Sequence, residues 1–131
     1  MNRLTGSAVA AVVLLSFTGC GKSEAEKVVS DGIRCLERAA DILATIHDST
    51  SARAAEPRLR EVLSALGEQK LRAAKAPALT PREMQHLQAQ NHAASVAANK
   101  RFREQADRAA AIPGCHELVM DFSYQVVRLI K

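Results

Sequence analysis

Apolar residues recur every three or four positions along most of the chain beyond residue 23, a spacing that predicts amphipathic helices. The first such segment follows the capping pattern Ser23-x-x-Glu26. It carries two adjoining apolar stripes, which together give the wide apolar face of a bundle helix. The stripes are Val29, Ile33, Leu36, Ala40, Leu43 and His47, and beside them Val28, Cys35, Ala39, Ile42 and Ile46. We predict that this helix ends at the polar turn cluster Asp48–Ser51.

A second helix is predicted to start near Ser51 or Ala52 and to end at the Ala76-Pro77-Ala78 segment. Its inward positions are Ala55, Leu59, Val62, Leu63, Leu66 and Ala73. Pro57 lies early in this segment, and two interpretations fit it. We favour one helix that is kinked at Pro57. The alternative is a main helix that begins with Pro57 as its first residue.

The clearest helix start in the chain is Thr80-Pro81-Arg82-Glu83, with a threonine cap, a proline at the first position and a glutamate at the third. It predicts a third helix of about thirty residues, ended by Ile112-Pro113-Gly114. Its inward positions form a thin stripe of mostly small residues: Met84, Leu87, Asn91, Ala94, Ala98, Phe102, Ala106 and Ala109. The last and shortest helix carries Cys115, Val119, Phe122, Val126 and Leu129, with Leu118 and Ile130 beside them.

Four helices joined by short turns predict an all-α fold, an antiparallel up-down-up-down helical bundle spanning residues 25–131. The alternative is a long helical hairpin followed by shorter C-terminal helices. Composition supports the helical class, because the 47% of apolar residues are rich in alanine, aromatic residues amount to 3%, and tryptophan is absent. So few large β-formers argue against a sandwich or a barrel.

The N-terminal segment reads as an export signal. One positive charge, Arg3, precedes the apolar run Leu4–Phe17, which is shorter than the roughly 20 residues that a membrane span needs. The run ends in Phe17-Thr18-Gly19-Cys20, which resembles the lipobox of bacterial lipoproteins, with Phe17 at the position that is usually Leu. A plain secretory signal is the alternative.

The lipobox resemblance implies a processing pattern. Residues 1–19 would be a lipoprotein signal peptide, and Cys20 would become the lipidated N-terminus. Residues 20–24 would form a short tether. Several acyl chains on one cysteine hold a protein firmly on a membrane, whereas one chain holds it only marginally. Gly21 stands where an Asp would mark retention in the inner membrane of Gram-negative bacteria. The resemblance therefore implies a cell-envelope protein, on the outer membrane facing the periplasm if the host is Gram-negative.

A second resemblance lies in Ile46–Leu66, IHDSTSARAAEPRLREVLSAL. This segment looks like a helix-hairpin signature of small, all-helical bacterial lipoproteins of uncharacterised function. There an Ile-x-Asp turn is followed by Ser-Ala-x-Ala-Ala-x-Pro-x-Leu. The resemblance implies a helical domain at the surface or in the periplasm, no known activity and no particular site residues.

The distribution of charge indicates which classes of partner are expected. The net charge of +4 is spread among 18 basic and 14 acidic residues, without a basic run or an aromatic platform. Nucleic acid is therefore not an expected partner. The expected partners are the membrane, through a lipid on Cys20, and a protein or a second copy of the chain that covers the thin apolar stripe of the third helix.

Two cysteines remain if Cys20 is lipidated, and two alternatives stay open for them. An oxidising compartment favours a disulfide between Cys35 and Cys115. The geometry of an ideal bundle opposes it, because Cys35 lies well inside the first helix and Cys115 lies at the far end, beyond the 7 Å or so that a disulfide allows between Cα atoms. Without the bond, both are small buried hydrophobic residues.

The up-down topology places the first and third turns at the same end, where His47, Asp48, His116, Glu117 and Asp121 could provide weak metal ligands. The competing interpretation is ordinary polarity at helix ends. No pair has a metal-motif spacing such as His-x-x-x-His, and Cys115-His116 lacks the first cysteine of a c-type haem motif. No metal site and no cofactor are therefore expected.

The sequence also lacks the motifs of common enzyme classes, since it has no Gly-x-Ser-x-Gly elbow, no glycine-rich phosphate loop and no paired catalytic residues. We predict a non-enzymatic, lipid-anchored envelope protein that acts as an interaction or structural module. The alternative is a helical bundle that binds a metal or a small ligand through the histidine-acid cluster.

Overall fold

The computed structural model describes residues 23–131, which form four helices without a strand among them. The helices are α1 (Glu24–Ala44), α2 (Ser49–Lys75), α3 (Pro81–Ala110) and α4 (His116–Ile130). The all-α class predicted from the sequence is confirmed. The predicted signal peptide and the lipobox with Cys20 lie outside the described residues. Of the helices in the described part, none has the length and apolarity to cross a membrane.

The helix starts follow the local sequence. At α3, the Thr80 hydroxyl accepts a hydrogen bond from the Glu83 backbone N–H at 3.2 Å, and the Glu83 carboxylate accepts one from the Thr80 N–H at 2.8 Å. At α1, the Ser23 hydroxyl accepts from the Glu26 N–H at 3.2 Å. These bonds satisfy N–H groups that have no partner within the helix, and they confirm the predicted starts.

Helix α2 starts at Ser49, two or three residues before the predicted start at Ser51 or Ala52. Asp48 is the cap, and its carboxylate accepts a hydrogen bond from the Ser51 N–H at 2.7 Å, while the Ser51 hydroxyl accepts from the Asp48 N–H at 3.0 Å. Ser51 is therefore the third residue of the helix and not its cap. The Asp48 carboxylate is an equally good acceptor placed three residues earlier, which lets α2 start at Ser49. Pro57 lies inside one continuous helix, which excludes the alternative of a main helix that begins at Pro57, and the kink at Pro57 stays a prediction.

The core lies between the four helices and follows the predicted faces closely. Buried residues come from both stripes of α1, from one stripe each of α2, α3 and α4, and from the turn before α4. They include Cys35, Leu36, Ala39, Ile42, Leu43, Ile46, Ala52, Ala55, Leu59, Val62, Leu66, Ala98, Phe102, Ala106, Ala109, Cys115, Val119, Phe122 and Val126. Phe102 and Phe122 meet edge to face, with ring centroids 6.2 Å apart. Met84, Ala94 and His47, which were predicted to face inward, are exposed.

The helices alternate in direction, as predicted. Arg72, near the end of α2, pairs with Glu24 at the start of α1, so these helices are antiparallel. Arg101 of α3 pairs with Asp41, and Arg108, in the last turn of α3, reaches the carbonyl of Ile46, so α3 runs parallel to α1. In the turn before α4, a side chain at Gly114 would meet Ser49 at 3.5 Å, which places the first and third turns at one end.

The arrangement around the bundle was not predictable from the order of the helices. Helix α1 contacts α2 and α3, and α4 contacts the same two helices. The sequential neighbours α2 and α3 therefore occupy opposite corners, and two of the contacting pairs, α1 with α3 and α2 with α4, are parallel. The linker at residues 76–80 can reach about 20 Å when extended. The diagonal of a four-helix bundle is roughly 14 Å when neighbouring helix axes are 8–10 Å apart, so this linker is long enough to join α2 and α3 across it.

Two ends of the bundle are distinguished below. The tip is the end that holds the α1–α2 turn (residues 45–48) and the α3–α4 turn (residues 111–115). The base is the end that holds Ser23 and the linker at residues 76–80. Helix α4 starts at the tip, and its last residue is Ile130.

Candidate functional site

The five residues predicted as weak metal ligands do not form one site. Among the described residues, no group of three or more His, Cys, Asp or Glu side chains is arranged to hold a metal ion. His47 Nε2 lies 3.6 Å from Asp48 Oδ2, and both residues are exposed at the α1–α2 turn. His116 is exposed at the start of α4, while Glu117 and Asp121 line a different surface, between α2 and α4. The tip cluster is thus wrong as a ligand set.

Asp48 has a structural role instead. Hydrogen bonds from the Ser51 backbone N–H and the Ser51 hydroxyl favour the ionised carboxylate, so the pKa of Asp48 is lower than its ordinary value. A carboxylate at the start of a helix also interacts favourably with the helix dipole. The polarity of this turn therefore reflects capping, the competing interpretation given above.

Both Cys35 and Cys115 are buried free thiols. Of the two alternatives that the sequence left open, the structure has the one without a disulfide. Cys115 lies at the tip, whereas Cys35 lies nine residues before the end of α1, about 14 Å along the helix at 1.5 Å per residue. Burial raises the pKa of the Cys35 thiol, and the Gln69 amide approaches its sulfur at 3.5 Å. Burial outweighs the opposing effect of the Gln69 hydrogen bond, and the raised pKa fits a cysteine of the core because it reduces the thiolate.

A contact that the sequence did not reveal closes the tip. The guanidinium of Arg108 in α3 donates to the carbonyl of Leu43 at 2.8 Å and to that of Ile46 at 3.0 Å. The Leu43 carbonyl lies in the last turn of α1, where it also accepts the Ile46 backbone N–H at 3.1 Å, and the Ile46 carbonyl lies in the turn that follows the helix. The sequence signal was a basic residue near the end of α3, which by itself predicts only an interaction with the dipole of its own helix.

The first candidate site is the α2–α4 groove, a surface cavity of about 590 Å³ near the tip. It lies between two parallel helices that both start at the tip. Successive turns of α2, counted from the tip, therefore face successive turns of α4. Leu59, Leu63, Leu118 and Phe122 supply its apolar part. Its polar lining consists of Glu56, Arg60, Glu117, Asp121 and Gln125.

The charges of the α2–α4 groove are mostly negative, in a chain whose net charge is +4. Three carboxylates and one guanidinium line it. Arg60 is already paired with Glu56, at 2.7 Å between Nη2 and Oε1. Asp121 accepts a hydrogen bond from the Gln125 amide at 2.9 Å, and neither Asp121 nor Glu117 forms an ion pair with any described residue. The groove thus offers two carboxylates to a cation beside an apolar floor.

The second candidate site is the base cavity, with a volume of about 450 Å³. All four helices contribute to it, and it lies where α4 ends. Its apolar walls are Val28, Val29, Ile33, Leu36, Leu66, Ala73, Leu129 and Ile130, and its polar lining is Gln69, Lys70, Ser95, Asn99 and Lys131. Val28, Val29 and Ile33 in the first turns of α1 are only half-buried, and Ile130 is 48% exposed.

The charges near the base are separated from this cavity. Arg72 binds Asp31 at 3.0 Å and Glu24 at 2.9 Å, and these bonds raise the pKa of Arg72 above its ordinary value. The described residues that line the cavity include Lys70 and Lys131 but no carboxylate side chain. Lys70 Nζ lies 3.5 Å from the Arg128 carbonyl near the end of α4. The base cavity therefore combines apolar walls with positive charge.

Comparison with known proteins adds no relative: no family model matches this chain, and no curated protein or solved structure matches it. The geometry of the two sites and the sequence patterns therefore carry the functional argument.

Proposed function

We propose that this chain is a lipid-anchored helical protein of the bacterial cell envelope, and that its bundle acts as a non-enzymatic interaction module. The segment Phe17-Thr18-Gly19-Cys20, at the end of a short apolar run, supports the anchor. Cys20 precedes the Ser23 cap of α1 by only three residues, so a lipid there would hold the base of the bundle close to the membrane. The tip and the α2–α4 groove would then face away from it.

The α2–α4 groove is the observation that supports the interaction role. Protein-binding sites combine an apolar centre with a polar rim, and this groove pairs four apolar side chains with two carboxylates that have no cationic partner in the described part of the chain. A basic amphipathic segment of another protein complements both features. Its apolar side chains would contact Leu63 and Phe122, and its cations would pair with Glu117 and Asp121.

The anchor is tested by the intact mass of the protein from its native host, beside a Cys20→Ala variant. We expect a mass that corresponds to acylated Cys20 followed by the rest of the chain, and loss of that form in the variant. A mature N-terminus at another residue, without acyl mass, would instead define a soluble exported protein and contradict the anchor.

The groove is tested by photo-crosslinking of the full chain in membranes of the native host. A p-benzoylphenylalanine replaces Gln125 in the groove or, as the control, Gln88 on the exposed first half of α3. We expect Gln125 alone to yield a discrete adduct, whose crosslinked peptide is basic and amphipathic. Charge reversal by Glu117→Lys with Asp121→Lys should abolish it, whereas Glu104→Lys on α3 should not.

Two results would contradict the groove proposal. Equal labelling from Gln125 and Gln88 would indicate nonspecific contact, and an adduct that persists after charge reversal would remove the electrostatic argument. An adduct between two copies of this chain would identify the partner as a second copy, in place of a different protein.

A further inference from the structure

The outer face of α4 carries exposed apolar side chains along its length. Met120, Tyr124 and Val127 are 48%, 65% and 39% exposed, and their spacing of four and three residues places them on one stripe of the helix. The guanidinium of Arg128 lies over the Tyr124 ring, 5.9 Å from its centroid, so Arg128 belongs to the same face. None of these four residues lines the α2–α4 groove. They form a second apolar surface beside it.

The charges on this face are divided between the two ends of α4. Glu117 and Asp121 lie in its first half, and Arg128 lies in its last turn. All three side chains are exposed, and within the described part of the chain none of them forms an ion pair. Tyr124 lies between Asp121 and Arg128. The face therefore has an acidic end, an apolar centre and a basic end.

Such a face complements itself when two copies of α4 meet in opposite directions. Antiparallel pairing about Tyr124 places Met120 level with the second copy's Arg128. Asp121 is then only one residue, about 1.5 Å along the axis, from the level of that arginine, and the twofold symmetry repeats this ion pair on the other side of Tyr124. Parallel pairing would instead bring Asp121 beside Asp121 and Arg128 beside Arg128, which is unfavourable.

We infer that the outer face of α4 is a self-complementary interface that pairs two copies of this chain in antiparallel orientation, with Tyr124 at the twofold axis. Charge complementarity around an apolar centre carries this inference, which uses neither the anchor nor the α2–α4 groove. A helix of 15 residues is about 22 Å long. One face of such a helix buries less than the roughly 1,000 Å² of a stable interface, so the pair is weak and reversible.

Pairing has two consequences for the proposed function. Asp121 also lines the α2–α4 groove, so the second copy and the basic partner of the groove compete for that carboxylate. Antiparallel α4 helices also point the two bases in opposite directions. Paired copies anchored to one membrane at Cys20 would therefore lie along its surface, whereas a single copy can hold its tip away from the membrane. This orientation, unlike the pairing itself, rests on the proposed anchor.

The test places p-benzoylphenylalanine, which keeps an aromatic ring, at Tyr124 of the full chain in intact cells of its native host. We expect photolysis to give an adduct of twice the mass of the chain, whose crosslink joins position 124 to the α4 helix of a second copy. Met84 on α3, which is 44% exposed, is the control position and should give no such adduct.

Charge variants of the same probe-bearing chain test the antiparallel arrangement. Asp121→Arg should lower the yield of the adduct by about tenfold, because both symmetry-related ion pairs become repulsive. Arg128→Asp should lower it by a similar factor. The two substitutions together should restore the yield, because opposite charges then meet again. Circular dichroism checks that each variant folds, and a folded double variant without recovery would overturn the inference.

Three other results would also overturn it. They are equal yields from Tyr124 and Met84, an adduct at Tyr124 with a different protein only, and a yield that Asp121→Arg leaves unchanged. The groove proposal can fail separately, because Gln125 lines the groove and Tyr124 does not. The double variant should keep the adduct between two copies and weaken the adduct of Gln125 with a different protein, since the groove has then lost Asp121.

Discussion

The tip and the base of this bundle are built from the same four helices, yet they are packed differently. At the tip, Ile42, Leu43, Ile46 and Val119 are at most 1% exposed, and two turns close over them. At the base, the apolar residues of α1 are half-buried around a cavity. The tip is therefore the more tightly packed end of the part of the chain that the structure describes.

The largest expected effect is on the core at the tip. Leu43→Ala should lower the free energy of unfolding by about 3 kcal/mol, because a fully buried leucine leaves a cavity that the neighbouring helices cannot fill. Ile33→Ala, at the edge of the base cavity, should cost only about 1 kcal/mol, because less apolar surface is buried there. Urea unfolding followed by circular dichroism measures both. Equal losses would show that the two ends are equally well packed.

The next effect concerns the closure of the tip by Arg108. Arg108→Gln should lower the free energy of unfolding by about 1–2 kcal/mol, because two carbonyls at the end of α1 lose a charged donor. Arg103→Gln, at an exposed position of the same helix, serves as the control and should change stability by less than about 0.5 kcal/mol. If the two variants unfold at the same urea concentration, the carbonyl contacts contribute nothing to the tip.

Two glycines should respond in opposite directions. Gly114, in the tip turn, has φ of +81°, a left-handed conformation that disfavours any side chain, so Gly114→Ala should cost about 1 kcal/mol. Gly67 is helical and has open space at its Cβ position, so Gly67→Ala should raise stability by about 0.5–1 kcal/mol. Thermal unfolding shows whether each substitution lowers or raises the stability of the fold. A stabilising Gly114→Ala would contradict the assigned turn.

The smallest effect is a pH dependence from the helix caps. The pKa values of Asp48 and Glu83 are lowered, chiefly by backbone N–H donors from Ser51 and Thr80. Each therefore contributes stability that is present above its unfolded pKa of about 4 and is lost as the pH falls through the lower folded value. Asp48→Asn keeps a hydrogen-bond acceptor without the titration, and it should flatten the decline in stability below about pH 4.

The two caps also allow the tip and the base to be compared, because Asp48 lies at the tip and Glu83 lies near the base. Glu83→Gln should flatten the acid decline less than Asp48→Asn does. The first turns of α3 contain Leu87 as their one buried residue, whereas α2 packs into the core from Ala52 onward. Glu68→Gln, at an exposed position inside α2 and away from both caps, is the control and should leave the difference between the two caps unchanged. Stability measured by urea unfolding at several pH values decides between these outcomes, and a larger effect of Glu83→Gln would reverse the ranking.

Much of the fold was predictable because its signals are local. The cap at Thr80 and the proline at Pro81 depend on residues within one turn, and the buried stripes of α1 follow a spacing that any amphipathic helix obeys. The prediction was wrong where one local signal competed with another, as at Asp48, which caps α2 in place of Ser51. It was also wrong for Met84 and Ala94, because an inward spacing buries a residue only where a neighbouring helix is present.

The candidate sites were less predictable. Glu117 and Asp121 were singled out at the correct end of the bundle, but with His47 and Asp48 as companions. Their actual neighbours, Glu56 and Arg60, lie on α2, about 60 residues earlier in the chain. The predicted alternation makes α2 and α4 parallel, but nothing in the spacing of either helix indicates that they are neighbours. The base cavity was equally hidden, since residues from all four helices line it.

The sequence by itself determined the helical class, the starts of α1 and α3, and most of the apolar face of each helix. These features depend on hydrogen bonds and side-chain spacing within a few residues. Only the tertiary structure decided that α2 and α3 are diagonal, that Cys35 and Cys115 are unbonded, and that Arg108 closes the tip. Those features depend on contacts between residues tens of positions apart. The linker of five residues between α2 and α3 permits more than one arrangement of the helices, so the local sequence does not decide between them.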